Sequence, residues 1–316
     1  MLIVFGSLCM DFFLEVDEHP QDQSPVYATT YETHPGGRGG NQALAAHRMG
    51  PKTAIVGMVG DDPIGQKLTD KLRMDGVVTS GLGKSDKPTG GNSIAIDRNQ
   101  SIRIYQARGA NGDATAEQIP DEILNEAAFV LLQMELPEEE NYKLMQRAKE
   151  NGAKIMLNLA PMKMIPRKFL SMIDYLVVNQ LEAKQIAIAT EMDRKNNAVI
   201  IANGLAKEGD LTCIVTLGEK GSVVVTPDGD SWGVPALALE NTPKAKELWG
   251  ASDAYCGTLA ACLYNDMPIE EAIRYAAVAG SLSCRGAGAQ PSFPYLDDIE
   301  KALENFPKAA PASQII

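Results

Sequence analysis

Histidine is scarce in this 316-residue chain, and no two cysteines are grouped. There are three histidines, His19, His34 and His47, and two of them precede proline. A zinc cluster or a histidine-based catalytic triad is hard to assemble from so few. Five cysteines, at positions 9, 213, 256, 262 and 284, form no Cys-x-x-Cys pair and sit mostly in apolar runs. They read as buried thiols of a cytoplasmic protein. No apolar run approaches the ~20 residues of a membrane span, which argues against a membrane partner. The opening "MLIVFGSLCMD" has no basic leader and reads as a first buried strand, not a signal peptide. Positive charge is also short: 29 basic residues against 41 acidic, a net −12, with no cluster of Lys and Arg. Nucleic acid is therefore not an expected partner, and an anionic ligand has to be held by local positive ends.

Two nucleotide fingerprints are missing as well. No Gly-x-Gly-x-x-Gly follows the first strand, Leu2 to Gly6, which excludes a Rossmann dinucleotide site there. The run "VTSGLGKS" (78–85) ends like a P-loop but carries Val78 where the first glycine belongs. It follows a helical stretch and reads as a surface turn.

From Ala128 onward the pattern is regular. Apolar strands "FVLLQME", "KIMLNLA", "YLVVN" and "TCIVTLG" alternate with polar helical stretches, the mark of a doubly wound α/β domain, its mostly parallel sheet flanked by helices. Extra β-rich segments near 12–34 and 88–107 are expected to project as a small lid over the C-terminal ends of the strands. The expectation is one domain over 1–308 and a disordered tail over 309–316.

The stretch "LWGASDAYCGTLAACL" (248–263) places Asp253 after Gly250, Ala251 and Ser252, where an apolar helix begins. Small residues at a helix mouth leave unpaired N–H groups open to a ligand, and the helix dipole adds positive charge. That suits a phosphate or its transition state. A carboxylate beside it can accept a hydroxyl proton, and the dipole is expected to keep it ionised. A helix-capping Asp explains the same residues, and the stretch alone fits both readings equally. The run "GGRGGNQALAAHRMG" (36–50) adds four glycines in five positions before Asn41, whose amide suits a polyol, and alanines that allow close helix packing. Asp11 lies just past the first strand, at an end where α/β proteins bind ligands.

Together these stretches resemble the two signatures of the ribokinase-like, PfkB-type carbohydrate kinases, usually GGKGANQA and GAGDxFxGAL. The resemblance continues in order through "GDDPIG", "QMELP", "NLAP", "VNQLEA", "TLGEKG" and "GAQPSFP", across nearly the whole chain. It implies transfer of the ATP γ-phosphoryl group to a primary sugar hydroxyl, with ribose the first choice of sugar. It implies Asp253 as the base, with Gly250, Ala251 and Ser252 as its anion hole. Asp11, Gly37, Arg38, Asn41 and Glu135 match sugar contacts. Asn179, Thr216, Gly218 and Gly221 match nucleotide contacts, and Glu182 matches the residue that orders magnesium through water. In "NQLE" a capping box is the plainer reading of Asn179 and Glu182.

The chain departs from the pattern in four places. Ser252 replaces a glycine, Cys9 a common Asn and Arg38 a Lys. "KELW" stands for VDTT, so Glu247 occupies the place of a monovalent-cation ligand and only weak dependence on potassium is expected. A nucleoside or other sugar kinase is the alternative within the family. A sugar- or nucleotide-binding protein with little transferase activity is the alternative outside it. The lid strands are expected to support a homodimer.

Overall fold

The computed structural model describes residues 1–22, 24–189 and 197–315. Its strands are β1 Leu2–Phe5, β2 Cys9–Val16, β3 Ala28–Gly36, β4 Thr53–Gly60, β5 Val78–Ser85, β6 Gly90–Ile96, β7 Ile102–Ala107, β8 Phe129–Gln133, β9 Lys154–Asn158, β10 Tyr175–Asn179, β11 Thr212–Thr216, β12 Ser222–Val225, β13 Ser231–Val234 and β14 Ala310–Pro311. Between them run helices α1 Arg38–Arg48, α2 Pro63–Met74, α3 Glu138–Glu150, α4 Arg167–Leu170, α5 Gln180–Ala189, α6 Ala198–Gly209, α7 Ala251–Tyr264, α8 Ile269–Leu282, α9 Ala289–Ser292 and α10 Leu296–Leu303.

The core sheet has the order β14-β13-β12-β11-β10-β9-β8-β1-β4-β5. From β11 to β5 every neighbouring pair is parallel, and β12, β13 and β14 add antiparallel to the far edge. Strands buried on both faces need apolar residues at every position, and β1 shows why. Leu2 and Val4 join the core beneath α1, α7 and α8, while Ile3 and Phe5 join the core beneath α3, α5 and α6. Chain order reverses beside β1, which pairs β4 on one side and β8 on the other. The crevice beyond such a reversal is where open α/β sheets bind ligands.

A second sheet, order β3-β2-β6-β7, supplies the expected lid. Its first strand starts earlier than the sequence suggests, at Cys9, with only three residues between it and the end of β1. Asp11 therefore belongs to the second sheet, in register with Asn92 on β6 and His34 on β3.

Two expectations are corrected. Residues 78–85 are not a surface turn but the parallel edge strand β5. Its glycines permit a close fit, since a Cβ on Gly81 would stand 2.7 Å from Val56 Cγ2 and one on Gly83 2.4 Å from Met58 Sδ. The chain end is not loose either: β14 pairs with Trp232 and Gly233, and Ala312 is fully buried. Gly233 leaves the space that Ile315 fills, while residue 316 lies outside the described residues.

Candidate active site

Helix α7 is buried on every side from Asp253 to Leu263, wedged against α1 and α8. One missing methyl sets the distance to α1. A Cβ on Gly257 would meet Gln42 O at 2.4 Å and Ala45 Cβ at 2.7 Å. One turn earlier, that close approach brings Asp253 within reach of the first turns of α1. Asn41 Nδ2 donates to Asp253 Oδ2 at 2.9 Å, and Gln42 Nε2 donates to Oδ1 at 2.9 Å. Arg38 Nη1 stands 3.5 Å from the same Oδ1.

Asp253 is 6% exposed. Burial raises its pKa, against the opposing pull of Arg38, Asn41 and Gln42. Burial thus adds a cost to ionising Asp253 that the helix-dipole expectation does not include. Both amide atoms of Asn41 are engaged within the protein, since its Oδ1 accepts from Gln290 Nε2 at 3.2 Å while its Nδ2 donates to Asp253. The close packing of α1 on α7 turns it that way.

At the mouth of α7, Gly250 adopts φ +93°, the left-handed region that a side chain resists. Ser252 lies inside the helix and needs no positive φ. Ala251 N–H reaches Leu248 O at 3.3 Å, and the first regular helical bond is Ala254 N–H to Gly250 O at 2.8 Å. Among the described residues the amides of Ser252 and Asp253 find no acceptor.

The glycine run lies across the crossing from β1 to β2. Gly37 has φ +86°, and a Cβ there would stand 2.7 Å from Ser7 O and from Leu8 Cα. A Cβ on Gly36 would overlap the Asp11 carboxylate at 2.1 Å. Arg38 opens α1 with its N–H 3.2 Å from Glu135 Oε2, and its Nε lies 3.6 Å from Glu135 Oε1. Ser7 Oγ donates to the same glutamate. Asp11 is 1% exposed, and burial is the main reason its pKa rises to about 7. Asn92 Nδ2 donates to its Oδ1 at 2.7 Å, and Trp249 Nε1 donates to its Oδ2 at 2.8 Å.

Next to this cluster a cleft of about 460 Å³ is lined by Arg38, Asn158, Asn179, Glu182, Thr216, Gly218 and Ser252, among others. It joins the mouth of α7 to the C-terminal ends of β9, β10 and β11. Asn179 and Glu182 form the reciprocal capping box: Asn179 N–H donates to Glu182 Oε2 at 2.7 Å, and Glu182 N–H donates to Asn179 Oδ1 at 2.8 Å. Gly221 does not line this cleft; it turns the chain from β11 into β12 with φ +98°. Glu247 also stands apart. Its carboxylate accepts from Lys244 N–H at 2.6 Å, beside a separate cavity of about 390 Å³ at the edge of the second sheet. Among the described residues no group of three or more His, Cys, Asp or Glu side chains could hold a metal ion.

Sequence reasoning missed Gln42, Gln133, Asn158 and Gln290. Gln133 Nε2 donates to Gln42 Oε1 at 2.8 Å, which fixes the orientation of that amide and directs Gln42 Nε2 to Asp253 and to Asn158 Oδ1. Each lies in a motif quoted above, so a polar residue inside an otherwise buried stretch was the available signal. Near Cys9, Asn111 Nδ2 lies 3.5 Å from the thiol sulfur and 2.8 Å from Leu8 O.

Residues 1–296 match the model of the pfkB family of carbohydrate kinases. Over 305 residues the chain is 28% identical to a ribokinase of Lactococcus lactis, covering 95% of this chain and 96% of that one. Its fold superposes on a ribokinase of Thermotoga maritima with a TM-score of 0.87 at 26% identity, covering 96% and 99% of the two chains. It superposes on an Arabidopsis thaliana ribokinase complexed with ribose and ATP with a TM-score of 0.84 at 27% identity, covering 96% and 98%.

Proposed function

The chain belongs to the pfkB family of carbohydrate kinases, and from that premise we propose that it transfers the γ-phosphoryl group of ATP to a primary hydroxyl of ribose. The observation that carries this reading is Asp253, buried beside the unpaired amides of Ser252 and itself, at the end of the cleft that Asn179, Thr216 and Gly218 line. In this reading Asp253 accepts the hydroxyl proton. Its raised proton affinity makes it a better base than a free carboxylate, and a loose transition state lets the proton leave late. The helix mouth from Gly250 through Ser252 holds charge developing on the phosphoryl oxygens. Arg38, 3.5 Å from Asp253, stands where it can neutralise the same charge.

Asp11, Gly37, Asn41 and Glu135 serve the acceptor. Asn41 does so indirectly, through Asp253. Asn179, Thr216 and Gly218 serve the nucleotide, and Gly221 shapes the turn behind them. Glu182 and Asn179 supply hard oxygen donors of the kind magnesium takes through water, and a bound magnesium would offset phosphate charge. Glu247 is tied to Lys244, so we place no potassium ligand there.

Initial rates with ribose, 2-deoxyribose, fructose, adenosine and inosine test the proposal. Ribose is expected to give the highest kcat/KM. Turnover of inosine without turnover of ribose would move the chain to the nucleoside alternative, and ligand binding without ATP consumption would move it to the binding-protein alternative. We further infer a cytoplasmic homodimer. All five cysteines are free and buried, as a reducing compartment favours. The second sheet leaves Tyr31, Ile104 and Tyr105 exposed along β3 and the edge strand β7, where a second copy can pair. Sedimentation at micromolar concentration reads the mass, and a monomer overturns the dimer.

A further inference from the structure

The departure at "KELW" puts a tryptophan where it reaches the acceptor side of the site. Trp249 immediately precedes Gly250, yet its indole extends into the second sheet, edge-on to Phe13 at 5.8 Å and 87°. There it packs with the small apolar cluster of Phe13, Ile94 and Ile96. Its Nε1 holds Asp11 Oδ2 at 2.8 Å, while Asn92 holds Oδ1. With Asp11 only 1% exposed, no face of the carboxylate is left for a sugar to approach.

We propose that Trp249 determines acceptor specificity by occupying the Asp11 oxygen that a sugar hydroxyl would take. This inference rests on the reading of Asp11 as an acceptor contact. A site built to bond a hydroxyl rejects the analogue lacking it, because a buried polar group is then left unpaired. Here that penalty disappears. A sugar bearing the hydroxyl exchanges one donor for another at Oδ2, with little net gain. A sugar lacking it leaves the indole in place, and Asp11 stays paired. The enzyme therefore discriminates weakly between ribose and the deoxyribose that lacks this hydroxyl.

The test is kcat/KM for ribose, 2-deoxyribose and 3-deoxyribose with the native enzyme and with Trp249→Phe, which keeps an aromatic ring at the position and removes the donor. One of the two analogues is expected within about tenfold of ribose in the native enzyme. Its disadvantage is expected to grow tenfold or more in Trp249→Phe, whose Asp11 needs the hydroxyl. A change under tenfold for both analogues overturns the inference.

Should Trp249→Phe not fold, Trp232→Phe leaves Trp249 as the only tryptophan of the chain's two. Its emission is expected to shift on saturation with ribose and to stay unmoved with the tolerated analogue; no shift with ribose overturns the exchange. Asp11→Asn added to Trp249→Phe, where no indole competes for Oδ2, separates the two layers. A ribose KM raised tenfold or more by that addition, with an unaltered ratio in Trp249→Phe alone, sinks this inference alone. A ribose KM unchanged by that addition removes the Asp11 assignment and this inference with it.

Discussion

Replacing Asp11 by Asn should make the folded protein more stable, by an amount that depends on pH. The carboxyl has a folded-state pKa of about 7 against an ordinary 3.8, raised chiefly by burial, with the charges of Glu135 and Asp253 adding to it. Asn92 and Trp249 oppose the rise without cancelling it. Between these two values the folded chain binds the proton that the unfolded chain has released. Stability therefore falls as pH rises through that window, and the loss is complete above about pH 7. Three pKa units correspond to about 4 kcal/mol. The penalty is about 1 kcal/mol at pH 4.5 and about 4 kcal/mol at pH 8. Asparagine removes it while keeping the bonds, since its oxygen can accept from Trp249 and its amide can donate to Asn92 once that amide turns over. Urea denaturation of both proteins at pH 4.5, 6, 7 and 8 reads the difference. The advantage of Asp11→Asn should grow by about 3 kcal/mol across the series. A difference that stays flat with pH would refute the claim that Asp11 is a buried, charge-penalised group.

Four other outcomes are expected. Asp253→Asn should lower kcat by 10²-fold or more, with sugar affinity by calorimetry nearly intact, because a base acts mainly in the transition state; equal losses of both would mark a structural cap. Gln42→Leu removes a donor that favours ionised Asp253, so the acid limb of the kcat–pH profile should move to higher pH, and an unmoved limb would deny Gln42 that role. Gly250→Ala adds a methyl 2.5 Å from Ala289 Cβ at φ +93°, and thermal denaturation should show a loss of about 1–3 kcal/mol or more. Exchanging potassium for a bulky organic cation should change the rate less than twofold, whereas strong activation by potassium would show that Glu247 still completes an ion site.

Much of the fold was legible because a parallel sheet covered on both faces must be apolar at nearly every position, and the runs from Ala128 onward show it. The two signatures also declared the helix mouth and the glycine crossing, where backbone requirements restrict residue type. What stayed hidden depends on distance across the fold. Val78 to Ser85 looks like a turn because Ser80, Gly81, Gly83 and Ser85 thin its apolar signal, and only its pairing with β4 shows why the two glycines are bare. That Asn41 also holds Asp253 shows only once Gly257 brings α7 against it. The burial that raises the pKa of Asp253 cannot be read from a helix-capping motif. Trp249 was visible as a departure, but its partner lies 238 positions away.

The three residues joining β1 to β2 are clasped by glycines that tolerate no added carbon. Divergence among descendants of this chain is thereby channelled: the joint must stay bare, while the strands hung from it are free to change what they present to the acceptor.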